Sequence, residues 1–225
     1  MNKNEKQWME AMVTMKKLQV ISVVGAGGKT TFIRNQAKEY VKHGQKVLIT
    51  TTTHMAWPDV SCDSRPEEIR QHLEERGWSL VGQPVEHRGI RKMGGVPCEV
   101  LDSVISLADV VLIEADGSRR LPFKVPKHWE PVIHPATTKI VIMAGLAAAD
   151  GPICECCYNW ERICRVLGKQ PTERLSKDDM RKAVLMTYLP AFEQMGISVP
   201  VELKFVGKSN GWTYESESCF SHSLR

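Results

Sequence analysis

The sequence predicts an α/β fold built on a mostly parallel sheet flanked by helices. Residues 18–24 (LQVISVV) form an apolar, β-branched run that reads as a buried strand. A glycine-rich turn, an amphipathic helix and a second apolar strand follow it directly, and that order makes a βαβ unit. Residues 108–114 (ADVVLIE) and 139–144 (KIVIMA) are further near-continuous apolar runs of the kind found in parallel sheets covered on both faces. Segments of helical period lie between and after them.

Taken in order, residues 1–17 are expected to be a short helical extension, with Trp8, Met9, Met12, Val13 and Met15 on one face. Residues 18–206 are the α/β domain. In 30–43, Phe32, Ile33, Ala37, Tyr40 and Val41 recur at helical spacing, and Gly44 closes that helix. Residues 46–50 (KVLIT) are the second strand. Pro66 opens a charged helix to 76, 78–81 is a short strand, and 96–107 reads as a helix. Residues 117–135 carry Pro122, Pro126, Pro131 and Pro135, too many breakers for a regular element. Helices are expected at 159–167 and 176–189 and a strand at 199–206. The polar, serine-rich stretch 207–225 is expected to be a disordered tail.

Bulk properties narrow the function. The 225 residues are 42% hydrophobic and 25% charged, as in ordinary globular proteins, with a net charge of +4. There is no arginine-rich arm, so no nucleic-acid partner is called for. No run approaches the roughly 18 apolar residues of a membrane span. Residues 1–17 lack the apolar core of a secretory signal. Seven unpatterned cysteines suit a reducing compartment. A cytoplasmic protein without a membrane partner is expected.

The turn itself is Gly25-Ala26-Gly27-Gly28-Lys29-Thr30-Thr31. In the common phosphate loop, G-x-x-x-x-G-K-[ST], the opening glycine falls here on Val23, so the strict motif fails. Three glycines still let backbone N–H groups turn toward an anion, and the helix start adds unpaired donors. Lys29 would reach the phosphates of ATP or GTP, and the Thr30 hydroxyl would hold Mg²⁺. The plainer reading is a glycine turn with a solvated lysine. With the phosphate reading, the fold becomes a P-loop NTPase-like three-layer sandwich.

Such a site needs a carboxylate at a neighbouring strand's C-terminal end, where ligands bind in open α/β sheets. The strand at 108–114 delivers Glu114, then Asp116, as metal ligands, with Asp116 also assigned to catalysis. Residues 50–53 are consecutive threonines, of which Thr52 and Thr53 would face the ligand, and His54 would move protons. Arg119, Arg120 and Lys124, in the proline-rich loop, would clamp phosphate or an acidic substrate. Cys154, Cys156, Cys157 and Cys164 do not have zinc-site spacing and read as reduced structural thiols.

Three blocks, VVGAGGKTTF, ITTTTHM and IEADGSRRLPFKVPKHWEPVI, together resemble the YqeC family over roughly residues 15–190. That resemblance implies an accessory protein for selenium-dependent molybdenum hydroxylases or selenium cofactor biosynthesis. Its partners would be a nucleotide and a molybdenum hydroxylase or its cofactor. Members of that family tend to continue into a strand ending in an Asn-Lys-x-Asp-like sequence suited to base recognition. This chain has VGKSNGWTYESESCFSHSLR there, so the base stays unassigned. A slow NTPase is the first reading. The alternatives are a non-hydrolysing binder of a phosphorylated or nucleotide-linked molybdopterin, and carboxylate activation of the Mur-ligase type, whose chains are much longer.

Overall fold

In the computed structural model, residues 18–56, 63–87, 89–208 and 212–219 are described. The helix expected within 1–17 lies outside them. A seven-stranded sheet runs through the middle in the order β12-β11-β9-β1-β7-β2-β4. These are Trp212–Cys219, Val201–Lys208, Lys139–Gly145, Gln19–Gly25, Val110–Glu114, Val47–Thr51 and Trp78–Val81. Every neighbouring pair is parallel except β11 with β12.

Strand alternation divides the apolar side chains between two faces. Val20, Val24, Leu48, Val111, Ile113, Ile140 and Ile142 belong to one core. Ile21, Val23, Val47, Ile49, Val110, Leu112, Val141 and Met143 belong to the other. Helix α1 (Lys29–Lys42) covers the second face with Phe32, Ile33 and Ala37. The first face takes α2 (Pro66–Arg76), α3 (Cys98–Ile105), α4 (Ile153–Cys156), α5 (Trp160–Leu167) and α6 (Lys177–Gln194). The chain is therefore α/β, with a mostly parallel central sheet flanked by helices.

Three local expectations are corrected. The strand β12 lies where a disordered tail was expected. It pairs with β11 from Val201↔Cys219 to Lys208↔Trp212. Tyr214 packs edge-on against Phe32, with ring centroids 5.6 Å apart, and Cys219 is buried. Glu217 takes two hydrogen bonds, 2.6 and 2.7 Å, from the Arg181 guanidinium on α6, and Glu215 pairs with Lys177. Helix α6 also runs past Pro190, which removes only the backbone bond to the Met186 carbonyl. Met186 is exposed while Phe192 beyond the proline is buried, so packing holds the last turn. Finally, the proline-rich loop contains a two-residue strand, β8 (Phe123–Lys124), paired in parallel with β10 (Cys157–Tyr158).

A separate antiparallel sheet orders β3 (His54–Ala56), β6 (Ile90–Gly94) and β5 (Gln83–His87). Its short, largely polar strands carry little apolar periodicity, and the sequence gives no warning of it.

Candidate functional site

The site lies at the C-terminal ends of β1 and β7, which are sheet neighbours with Val23 opposite Glu114. Gly25 and Gly27 adopt φ of +89° and +93°, and Gly28, the residue before α1, adopts +110°. A Cβ on Gly25 would stand 2.2 Å from the Met143 carbonyl oxygen; one on Gly27 would stand 2.4 Å from the Gly145 Cα. The turn is therefore pressed against the end of β9, and only glycine fits both its dihedrals and its surroundings. The Gly25 and Ala26 N–H groups are already used, donating to Asp116 Oδ2 at 2.9 Å and the Met143 carbonyl at 2.9 Å. The donors left for an anion begin at Gly27 and continue into the first turn of α1 through Lys29, Thr30 and Thr31, where helix N–H groups lack intrahelical acceptors.

Asp116 is wholly buried and is the hub of the site. Lys29 Nζ lies 3.0 Å from its Oδ1 and also donates to the Gly25 carbonyl at 2.5 Å. Lys124 Nζ lies 3.1 Å from Oδ2 and Tyr188 donates its hydroxyl to the same oxygen at 3.2 Å. Lys124, equally buried, also meets Glu130 Oε2 at 2.8 Å and the Gly117 carbonyl at 2.8 Å. Burial, with Asp116 beside it, pushes the Tyr188 hydroxyl well above its ordinary range, so it remains a donor. Two ammonium groups and two carboxylates out of water are tolerable only because they meet each other and fixed backbone dipoles.

Glu114 is placed differently. It is 7% exposed and accepts a 2.7 Å hydrogen bond from the Thr30 hydroxyl. Desolvation raises its pKa, against the lowering influence of Lys29 and of the Thr30 hydrogen bond. Its backbone carbonyl takes the Thr51 hydroxyl at 2.7 Å and the Thr52 N–H at 3.1 Å. Thr52 spends its own hydroxyl on the Val132 carbonyl at 2.7 Å, and the Thr53 N–H donates to Thr51 Oγ1 at 3.0 Å. The threonine run thus clamps β2, β7 and the proline-rich loop together.

A carboxyl raised by burial favours the folded state most when protonated. Stability is fully present below its unfolded pKa and falls as pH rises through the ordinary carboxylate range to the raised value. Glu114→Gln is therefore expected to raise the melting temperature of the ligand-free protein at neutral pH. The gain should vanish below about pH 4, where Glu114 is protonated in both states. Thermal melts of both proteins across that range check it; a constant difference at every pH would refute the assignment.

The structure brings Gly25, Lys29, Thr30, Glu114 and Asp116 into contact at one place, with Gly27 and Gly28 in the turn between them. His54 opens β3 on the separate small sheet and is exposed. Arg119 is exposed with φ +50°, its guanidinium 5.0 Å from the Tyr158 ring centroid. Lys124 is not the solvent-facing clamp expected of it; pairing of β8 with β10 draws it inward to Asp116. Residues 21–161 match the model of the YqeC protein family.

The chain belongs to the YqeC family. It is 33% identical over 173 residues to "Uncharacterized protein YqeC" of Escherichia coli (strain K12), across 73% of this chain and 67% of that protein. No solved structure matches it.

Sequence reasoning missed Tyr188, Glu130 and the inward role of Thr51 in this YqeC chain. Tyr188 sits at core spacing on α6, and nothing local marks its hydroxyl as part of a site 72 residues away. Among the described residues no group of three or more His, Cys, Asp or Glu side chains is arranged to hold a metal. The same residues include no helix long and apolar enough to cross a membrane. The thiols of Cys156, Cys157 and Cys164 are all raised, chiefly by desolvation, as suits unreactive structural cysteines.

Proposed function

We propose that this chain is a magnesium–nucleotide-binding accessory protein, a slow NTPase, that assists maturation or insertion of a selenium- or molybdenum-containing cofactor in a hydroxylase. The observation carrying the nucleotide part is the meeting of Thr30 and Glu114 at 2.7 Å, beside the glycine turn and its lysine. Phosphates of ATP or GTP rest on the N–H groups from Gly27 to Thr31, and Lys29 turns from Asp116 to the phosphate oxygens. The hard oxygens of Thr30 and Glu114 suit Mg²⁺, which takes one or two protein ligands and draws the rest from phosphate and water. Bound there, it would neutralise charge developing on the phosphoryl group. The client rests on the family resemblance of the three sequence blocks.

One observation favours the non-hydrolysing reading. Asp116 is wholly buried, with Oδ2 taken by Lys124, Tyr188 and the Gly25 N–H and Oδ1 facing Lys29, so its carboxylate is not open to solvent where it could orient an attacking water. Thermal-shift titrations with ATP, GTP and CTP in Mg²⁺ test binding. A nucleotide at 100 times its Kd should add about 2.7 kcal/mol. A rise with one base and slow phosphate release supports the NTPase; a rise without release supports the binder. No rise with any of the three refutes the NTPase and makes the binder of a phosphorylated molybdopterin the reading to titrate next.

A further inference from the structure

On the far side of the proline-rich loop is a cleft of about 760 Å³. It is bounded by Lys127 and Trp129 from the loop, Asn159, Glu161, Arg162 and Arg165 around α5, and the end of α6. That volume falls within the roughly 300–1,000 Å³ of small-molecule sites. No residue of the glycine turn lines it, so it is a separate place on the molecule.

Two features of its walls call for an occupant. The first is charge. Three cations, Lys127, Arg162 and Arg165, converge on this one cleft, whereas some cations elsewhere on the surface meet carboxylates, such as Lys42 with Glu39, Lys139 with Glu202 and Lys169 with Asp179. Lys127, Arg162 and Arg165 form no ion pair among the described residues, although Glu161 lines the same wall. Lys127 has only ring faces, 4.9 Å from the Trp129 centroid and 5.1 Å from that of Tyr158. Arg162 has only the Pro126 carbonyl, at 2.6 Å. The second is Trp129, which is 58% exposed at the lip. A second hollow of about 710 Å³, with Val132, Ile133, His134 and Ile197 in its lining, shares Trp129 and Met195 with the cleft.

The walls are also held in place. Asn159 Nδ2 donates to the Pro126 carbonyl at 3.0 Å, beside the Arg162 bond, so α5 fixes the loop that carries Lys127 and Trp129. A bare phosphate would need no tryptophan, and a neutral ring would need no arginines. We infer that this cleft binds a planar heteroaromatic ring carrying a phosphate group, with the ring stacked on Trp129 and the phosphate on Arg162 and Arg165. The inference does not depend on the glycine turn binding a nucleotide.

Calorimetric titration of the full chain with flavin mononucleotide, guanosine monophosphate, riboflavin and inorganic phosphate tests it. At least one of the two ring phosphates should bind saturably, and at least tenfold more tightly than riboflavin or phosphate alone. Trp129→Leu should weaken that binding about tenfold or more, as loss of one aromatic stacking contact does. Arg165→Gln, at an exposed residue without an ion-pair partner among the described residues, should narrow the gap between the ring phosphate and the bare ring. Its melting temperature should stay at the parent's. Absence of saturable binding by both ring phosphates would overturn the inference, as would binding that neither substitution alters.

Discussion

Asp116→Asn is expected to cost about 3 kcal/mol of unfolding free energy, the lower end for breaking a buried ion pair. The amide is nearly isosteric, so the Gly25 N–H keeps an acceptor and no cavity opens. What is lost is the only charge, among the described residues, that pairs with both Lys29 and Lys124. The cost stays at the lower end because Lys124 retains Glu130 and Lys29 retains the Gly25 carbonyl. Urea unfolding checks this as a fall in midpoint at unchanged slope. Tyr188→Phe, which deletes one neutral donor to the same oxygen, should cost only about 1 kcal/mol. Equal losses in the two variants would mean that Asp116 acts as a hydrogen-bond acceptor and not as the counter-charge of two lysines.

The parts of this arrangement that were legible in the sequence are those fixed by neighbours along the chain. The strand before the turn, the three glycines, Lys29 and Thr30 are a local pattern, and Glu114 ends an apolar run whose strand character is plain. Parallel pairing then puts β7 beside β1 and brings Glu114 to Thr30. Lys124 shows where local reading stops. It is a lone charge in a proline-broken stretch, Pro122-Phe123-Lys124-Val125-Pro126, where a lysine is expected to reach solvent, yet two residues of pairing with β10 bury it completely. The same holds for β12, whose Glu and Ser residues read as a loose tail. The cations that pair with Glu215 and Glu217 come from α6, more than thirty residues earlier and invisible to any window of sequence.

Lys29→Ala should show most directly whether the glycine turn serves a phosphate. Removing one charge-assisted contact to phosphate costs about 1.5–3 kcal/mol, so nucleotide affinity should fall about 10- to 100-fold. The nucleotide-dependent rise in melting temperature should shrink accordingly. The ligand-free protein changes too, and its sign follows from Glu114. Lys29 is the charge that most lowers the Glu114 pKa against desolvation, so without it the carboxyl moves further up. The destabilisation that sets in as pH rises through the ordinary carboxylate range therefore continues to a higher pH in Lys29→Ala than in the parent. In a Glu114→Gln background that part of the loss has no source. The two substitutions should then be non-additive, with Lys29→Ala less costly beside Gln than beside Glu, by about 0.5–3 kcal/mol. Additive effects with an unchanged nucleotide response would leave Lys29 as a structural partner of Asp116 and nothing more. Non-additive effects with an unchanged response would confirm the electrostatic link between turn and strand while removing the phosphate from it.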